Sequence, residues 1–258
     1  MEKFKKWLWP AFSLLFFVAL WAILSAAFDK PLLFPTPLAT LRALFQLLGT
    51  ADFYKTVAFS LLRILSGILL ALLCGAVLAF LTVRFSVLHH LLSPFFTLFK
   101  ATPIAPVIFL LLLWVGRVRI PMLIAFMMAL PIVWGNLREG ILCTDRNLLE
   151  MAALYRIPRV RQIRHIYLPS ILPYFLAACR SSLSLSWKAG IAAEVLCTPK
   201  NSIGAHIYEG KLYLLTDEMF AWTLTVILLS LLIEKGALSL LQMTGKNRIG
   251  DLEKEDAA

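Results

Sequence analysis

Charged residues are scarce in this chain: Asp, Glu, Lys and Arg make up 16% of its 258 residues, where a soluble domain carries about a quarter. Sixty per cent of the residues are hydrophobic. One buried core does not need that excess. A hydrocarbon solvent outside the molecule does, because lipid offers a polar group no partner. Metal and disulfide chemistry lack their residues too. Cys74, Cys143, Cys179 and Cys197 stand singly, with no CxxC pair and no histidine at ligand spacing, and read as small packing residues. His89, His90, His165 and His206 fall in or near loops and read as interfacial polar groups, not a metal site. No HExxH, GxSxG or pair of aspartates within an apolar run is present, which argues against an intramembrane enzyme. No GxxxxGK[ST] loop is present to cradle the phosphates of ATP. Internal repeats, expected of many ion-coupled carriers, are missing, as are low-complexity tracts and a separate soluble domain. The net charge of +10 comes without a basic stripe interleaved with aromatics, so nucleic acid is not the expected partner.

What is present is a series of long apolar runs, at about residues 7–28, 57–83, 91–115, 120–137, 168–197 and 219–243. Each approaches or exceeds the ~20 residues that cross a ~30 Å hydrocarbon core. The expected fold is therefore an all-α integral membrane bundle of about six transmembrane helices in one domain, 1–258. The first run could instead be a signal peptide, with a basic start and Ser25-Ala26-Ala27 as a small-residue site, but it is long for that and further spans follow. The third run holds Pro94, Pro103 and Pro106 and reads either as one kinked helix or as a short helix followed by a span. The charged tail after about residue 244 reads as a frayed end.

Orientation follows from the basic residues. With the N-terminus and C-terminus cytoplasmic, the inner side holds Lys3, Lys5, Lys6, Arg84, Arg138, Arg146, Arg156, Arg159, Arg161, Arg164, Lys246, Arg248 and Lys254. The outer side holds Lys30, Arg42, Lys55, Arg117, Arg119, Lys200 and Lys211, a bias of the sign that sets topology. Arg117 and Arg119 fit this arrangement least well.

Two runs carry polar or small residues at helical spacing. Gly67, Ala71, Gly75 and Ala79 form a ridge that lets another backbone approach closely, either within the subunit or in a dimer. Ala178, Ser182, Ser186, Gly190 and Glu194 form a second ridge, with Arg180, Ser184 and Lys188 roughly opposite. Ionisable groups at membrane depth face a bundle interior or a water-filled path. Ser182, Ser186, Lys188 and Glu194 are thus candidates for a substrate pathway, with helix–helix hydrogen bonding and snorkelling as the alternative. Arg63 and Lys100 are weaker candidates, since either could snorkel to an interface.

The loop at 138–165 is basic. Asp145 can cap a helix starting near Arg146, and Leu148, Met151, Ala152 and Tyr155 share a face. Pro158 should end the element. Arg159, Arg161, Arg164 and His165 follow, then Leu168-Pro169 opens the fifth run. Such a helix could lie on anionic lipid or dock into a cytoplasmic partner.

Glu150-Met151-Ala152, three residues, Arg156, nine residues and Ile166-x-Leu168-Pro169 match in spacing the signature loop of binding-protein-dependent ABC importer permeases. That signature reads Glu-Ala-Ala, three residues, Gly, nine residues, Ile-x-Leu-Pro. The chain further resembles the nitrate/sulfonate/taurine-type branch of that family. The resemblance lies in Phe34-Pro35-Thr36-Pro37, Ala101-Thr102-Pro103 through Leu113-Trp114-Val115-Gly116, Trp187-Lys188 through Ala193-Glu194, Ile203-Gly204 and Thr216-Asp217. It covers nearly the whole chain.

The resemblance implies a type I ABC importer permease subunit in a bacterial plasma membrane. Such a subunit conducts a small solute, for example an anion such as a sulfonate or nitrate, and is not itself an enzyme. Its implied partners are a second permease subunit, commonly a copy of itself, two ATP-binding cassette subunits that hold ATP and Mg, and an external substrate-binding protein. No cofactor is expected on this chain. Asp145, Glu150, Met151, Ala152, Ala153, Tyr155, Arg156, Ile166, Leu168 and Pro169 are the implied ATPase-coupling residues. Arg156 departs from the pattern. A glycine there would permit a tight turn at positive φ, which arginine adopts less cheaply. Either the turn is built differently, for instance with Pro158, or the partner's groove differs, or coupling is impaired.

Overall fold

The structure, a computed structural model, describes the backbone of residues 2–28, 30 and 32–255, and side-chain surroundings chiefly between residues 12 and 236. Lys3, Lys5, Lys6, Lys246, Arg248 and Lys254, used above for orientation, have side chains outside the described set. Among the described residues all regular structure is helical. In chain order the helices are α1 (Glu2–Phe28), α2 (Pro37–Leu48), α3 (Ala51–Arg84), α4 (Ser86–Ala101), α5 (Ile104–Leu111), α6 (Ile120–Leu142) and α7 (Arg146–Leu154). There follow α8 (Arg159–Gln162), a π-helical turn at Ile163–Tyr167, α9 (Leu168–Cys197), α10 (Ile203–Leu212) and α11 (Thr216–Glu255). The backbone stays helical where a frayed tail was expected.

α3 distributes its side chains differently from a helix of a soluble protein. On α3 most buried positions are small or polar, namely Thr56, Ser60, Gly67, Ala71, Gly75, Ala79 and Thr82, beside the large apolar Phe53, Ile64 and Ile68. Its exposed positions include Leu62, Leu69, Leu73, Val77 and Phe80. A soluble helix hides its large apolar side chains. This one shows many of them, as a helix in lipid does. Three described helices, Ala51–Arg84, Ile120–Leu142 and Thr216–Gly236, are long and apolar enough to cross a membrane, or four if the bent pair α4–α5 is one span. The described apolar part of α1, Leu15–Phe28, is shorter. At 30 residues α9 is long enough, but its polar ridges lower its hydropathy.

The centre of the bundle is α3, α6 and α9 packed on one another. The small ridge of α3 makes this possible. A Cβ on Gly67 would run into the Met122 carbonyl, and one on Gly75 would lie 2.7 Å from Val133 Cγ1. The ridge that could have served a dimer is therefore filled by α6 of the same chain. Because Gly67 meets Met122 and Gly75 meets Val133, α3 and α6 run in the same direction. The 85–119 connection must then return from Arg84 to the level of Gly67, about 26 Å at 1.5 Å per residue. That is comparable to the ~30 Å of a hydrocarbon core.

The third apolar run makes this return as an elbow, not as the kinked helix or short helix plus span that its prolines implied. α4 and α5 meet at 102°. Pro103 supplies no N–H and pushes Thr102 out of the helical region, to φ −77° and ψ 126°. Pro94 sits inside α4 without ending it. An apolar cavity of about 200 Å³ lies inside the elbow against α6, lined by Phe95, Phe99, Ile104, Val107 and Met128 among others.

Two helices occupy stretches read as loops. α2 begins with Thr36 as N-cap, its hydroxyl accepting from the Ala39 N–H, and Pro37 at the first helical position. α10 begins with Ser202, whose hydroxyl accepts from the Ala205 N–H. Both are standard start signals. The loop boundary also shifts, since residues 138–142 still belong to α6.

Candidate functional site

Two sites emerge, and they treat charge in opposite ways. The first is the loop between α6 and α9. Asp145 caps α7, its carboxylate accepting from the Asn147 N–H at 2.8 Å. Of the face expected to be apolar, only Ala152 is enclosed, at 0% exposure. Leu148, Met151 and Tyr155 stand exposed, as do Glu150, Ala153 and Leu154. α7 thus offers an unpartnered apolar surface with a carboxylate on it.

The turn that ends α7 corrects the sequence reading. Arg156 sits at φ 51°, in the left-handed region, so the turn is of the kind a glycine would make. The Arg156 N–H donates to the Ala153 carbonyl at 3.1 Å and the Ile157 N–H to the Ala152 carbonyl at 2.8 Å. This crossed pair is a Schellman motif, with arginine at the position glycine usually fills. The Ile157 carbonyl accepts from the Gln162 side-chain amide at 2.8 Å, which ties the turn to α8. Pro158 is the N-cap of α8 and does not build the turn.

The chain then enters α9 through the π-helical turn. Pro169 has no N–H for the His165 carbonyl, and its ring crowds that carbonyl. The backbone widens here, with the Leu168 N–H reaching back to the Ile163 carbonyl. Ile166 is buried, Pro169 half-buried and Leu168 exposed. The Ile-x-Leu-Pro stretch is thus the joint between the loop and a central helix of the bundle.

The second site lies at the other end of α9. Glu194 is fully buried. Its Oε1 accepts from Arg63 Nη1 at 2.6 Å. Its Oε2 accepts from the Ser60 hydroxyl at 2.8 Å and the Gly204 N–H at 3.3 Å. Ser60 Oγ in turn accepts from the Ile203 N–H at 3.0 Å. One carboxylate thereby joins α3, α9 and the first turn of α10. Gly204 is required by space: a Cβ there would fall on the Glu194 and Val195 backbone. Arg63, a weaker pathway candidate that could have snorkelled, points inward, where Glu194 receives it.

The four pathway candidates separate. Ser182, Ser186 and Glu194 are fully buried against neighbouring helices, whereas Lys188 is exposed. Arg180, on the same polar ridge as Lys188, pairs with Glu234 of α11 at 3.2 Å. The part played by Ser60, Arg63 and Gly204 was missed in the sequence because they lie far from Glu194 or outside α9. The signal available was that a carboxylate within an apolar run needs a cation, and Arg63 lies within another such run. Among the described residues no cluster of three or more His, Cys, Asp or Glu could hold a metal.

Comparison with known proteins gives a consistent result. Residues 67–235 match the family model described as binding-protein-dependent transport system inner membrane component. The bicarbonate transport system permease protein CmpB of Synechococcus elongatus is 27% identical over 255 residues, covering 84% of this chain and 91% of that protein. The taurine transport system permease protein TauC of Escherichia coli is 22% identical over 223 residues, covering 84% and 80%. A CmpB from Synechocystis is 26% identical over 240 residues, covering 88% and 85%.

Proposed function

The chain belongs to the family of binding-protein-dependent transport system inner membrane components, and from that premise we propose that it is the permease subunit of an ATP-driven importer, coupled through α7. One observation carries the coupling role: α7 is capped, ended by a left-handed turn at the signature position, and left with its apolar residues exposed. The expected arrangement is two such subunits, commonly identical, over two ATP-binding subunits that carry ATP and Mg, with an external protein delivering the solute. On this reading there are six spans, counting α1, the α4–α5 elbow and α9, so that both termini and the 138–165 loop share one side, and the basic-residue bias favours the cytoplasm for it. The joint at Ile166-x-Leu168-Pro169 would pass loop movement to α9.

The solute class favoured is a small oxyanion. Relatives named for bicarbonate and for taurine, which bears a sulfonate, support it, as does the exposed Lys188 cation on α9. Within this reading Lys188 is the pathway candidate a solute can reach, while Ser182, Ser186 and Glu194 border it from inside the packing.

Glu150→Arg tests the coupling role. It should abolish co-purification with the ATP-binding subunit and ATP-driven uptake; unchanged assembly and uptake would remove Glu150 from the docking surface. Single cysteines within 143–165, in a background cleared of accessible native thiols, should resist impermeant thiol reagents in intact cells, and ready labelling would invert the topology.

A further inference from the structure

We infer that Arg156 reads the partner: the ATP-binding subunit that receives α7 presents a carboxylate at the rim of its groove, opposite this side chain. The inference rests on the coupling role proposed for α7 and adds the chemistry of the surface that meets it. Three observations converge. The backbone at Arg156 is left-handed, at φ 51°, a conformation that is unfavourable for an L side chain and free of that penalty for glycine. The backbone hydrogen bonds of the turn would serve a glycine equally well, and the arginine side chain adds nothing to them, being exposed and without a side-chain hydrogen bond, ion pair or ring contact among the described residues. Finally, the left-handed turn places this cation directly after the exposed apolar residues Met151, Leu154 and Tyr155.

The surrounding charge makes the partner's sign specific. Arg146, Arg159 and Arg161 are also exposed. The acidic residues of this stretch are Asp145, already engaged as the cap of α7, and Glu150. A groove lined with cations would be repelled. One with an acidic rim gains an apolar contact in its floor and an ion pair at its edge, the usual division between affinity and specificity at an interface. Anionic lipid is the competing occupant for such cations. It gives no reason for an arginine to occupy the one left-handed position of the turn rather than either flank.

The test uses the full chain in nanodiscs, assembled with the ATP-binding subunit that co-purifies with it from the membranes of the cell making both. Arg156→Gly leaves the turn at least as well accommodated, so any lost affinity belongs to the side chain. We expect assembly weakened roughly fivefold, the scale of an ion pair at an interface rim, with a shallower salt dependence. Arg156→Lys should keep most of the affinity. Arg156→Glu should weaken assembly further and be rescued by reversing one groove carboxylate of the ATP-binding subunit to arginine. Wild-type assembly and salt dependence in Arg156→Gly, with assembly lost in Met151→Asp, would overturn the inference while leaving the docking role intact. Assembly unchanged in both variants would overturn the docking role itself. A loss in Arg156→Gly seen with phosphatidylglycerol present, but not in phosphatidylcholine alone, would assign the cation to lipid and overturn the inference.

Discussion

The α6–α9 loop and the Glu194 knot stand near opposite ends of α9, and the contrast between them separates charge that holds this molecule together from charge left exposed. At the knot, a fully buried carboxylate accepts from a guanidinium, a hydroxyl and a backbone amide, all from its own chain. In the loop, Arg146, Arg156, Arg159 and Arg161 are exposed beside exposed Leu148, Met151, Leu154 and Tyr155. Buried charge must be paired and hydrogen-bonded, and the knot meets that demand internally. Charge beside unpartnered apolar surface is what the proposed docking surface of α7 consists of. A polar residue within a membrane helix therefore says little about transport until its partners are known.

The largest expected effect lies at the knot. Glu194→Ala leaves the Arg63 guanidinium, with its side chain 10% exposed, without its counter-ion. Breaking a buried pair by removing one partner is destabilising by about 3–5 kcal/mol. Thermal unfolding of the purified full chain should show a fall of many degrees, and the double variant Glu194→Leu, Arg63→Met should recover much of it. The matched change in the loop, Arg159→Ala, should stay within about 0.5 kcal/mol. Equal effects of Glu194→Ala and Arg159→Ala would erase the contrast.

The contrast also marks how far the sequence could be read. Helical class and membrane habitat follow from composition, because a solvent without hydrogen bonds permits few architectures. The bounds of α9 coincide with those of the fifth apolar run, since Pro169 opens it and Thr198, left-handed at φ 46°, closes it. The cap at Asp145 was legible because caps are local. What escaped was tertiary. The Gly67 ridge fits another chain as well as its own, and only the position of Met122 decides between them. The Arg63–Glu194 pair joins residues 131 apart in sequence, and no periodicity connects them. The elbow at Thr102-Pro103 was readable as a break, but its 102° angle carries no sequence signal. α2 and α10 carried sound N-cap signals that were overlooked because their flanks were read as loops.

A smaller effect sharpens the loop side. Asp145 satisfies one of the free N–H groups at the start of α7. Asp145→Ala should destabilise this nine-residue helix by about 1 kcal/mol. The loss should be local, raising hydrogen exchange at the amides of the first turn of α7 while leaving the unfolding temperature of the bundle nearly unchanged. A global loss comparable to Glu194→Ala would mean that α7 is part of the core rather than mounted on it.

The smallest effect on the fold is expected at Arg156, and its size follows from two opposing contributions. Glycine removes the strain of a left-handed L residue, about 1–2 kcal/mol. It also adds chain entropy to the unfolded state, about 0.5–1 kcal/mol. The difference leaves Arg156→Gly neutral to slightly stabilising for the turn. Hydrogen exchange at the Arg156 and Ile157 amides, which close the Schellman pair on Ala153 and Ala152, should be unchanged or slower. Faster exchange there would mean that the arginine side chain supports the turn. A turn kept or tightened together with weaker assembly would separate the two roles at one residue: the backbone shapes the end of α7, and the side chain belongs to the partner.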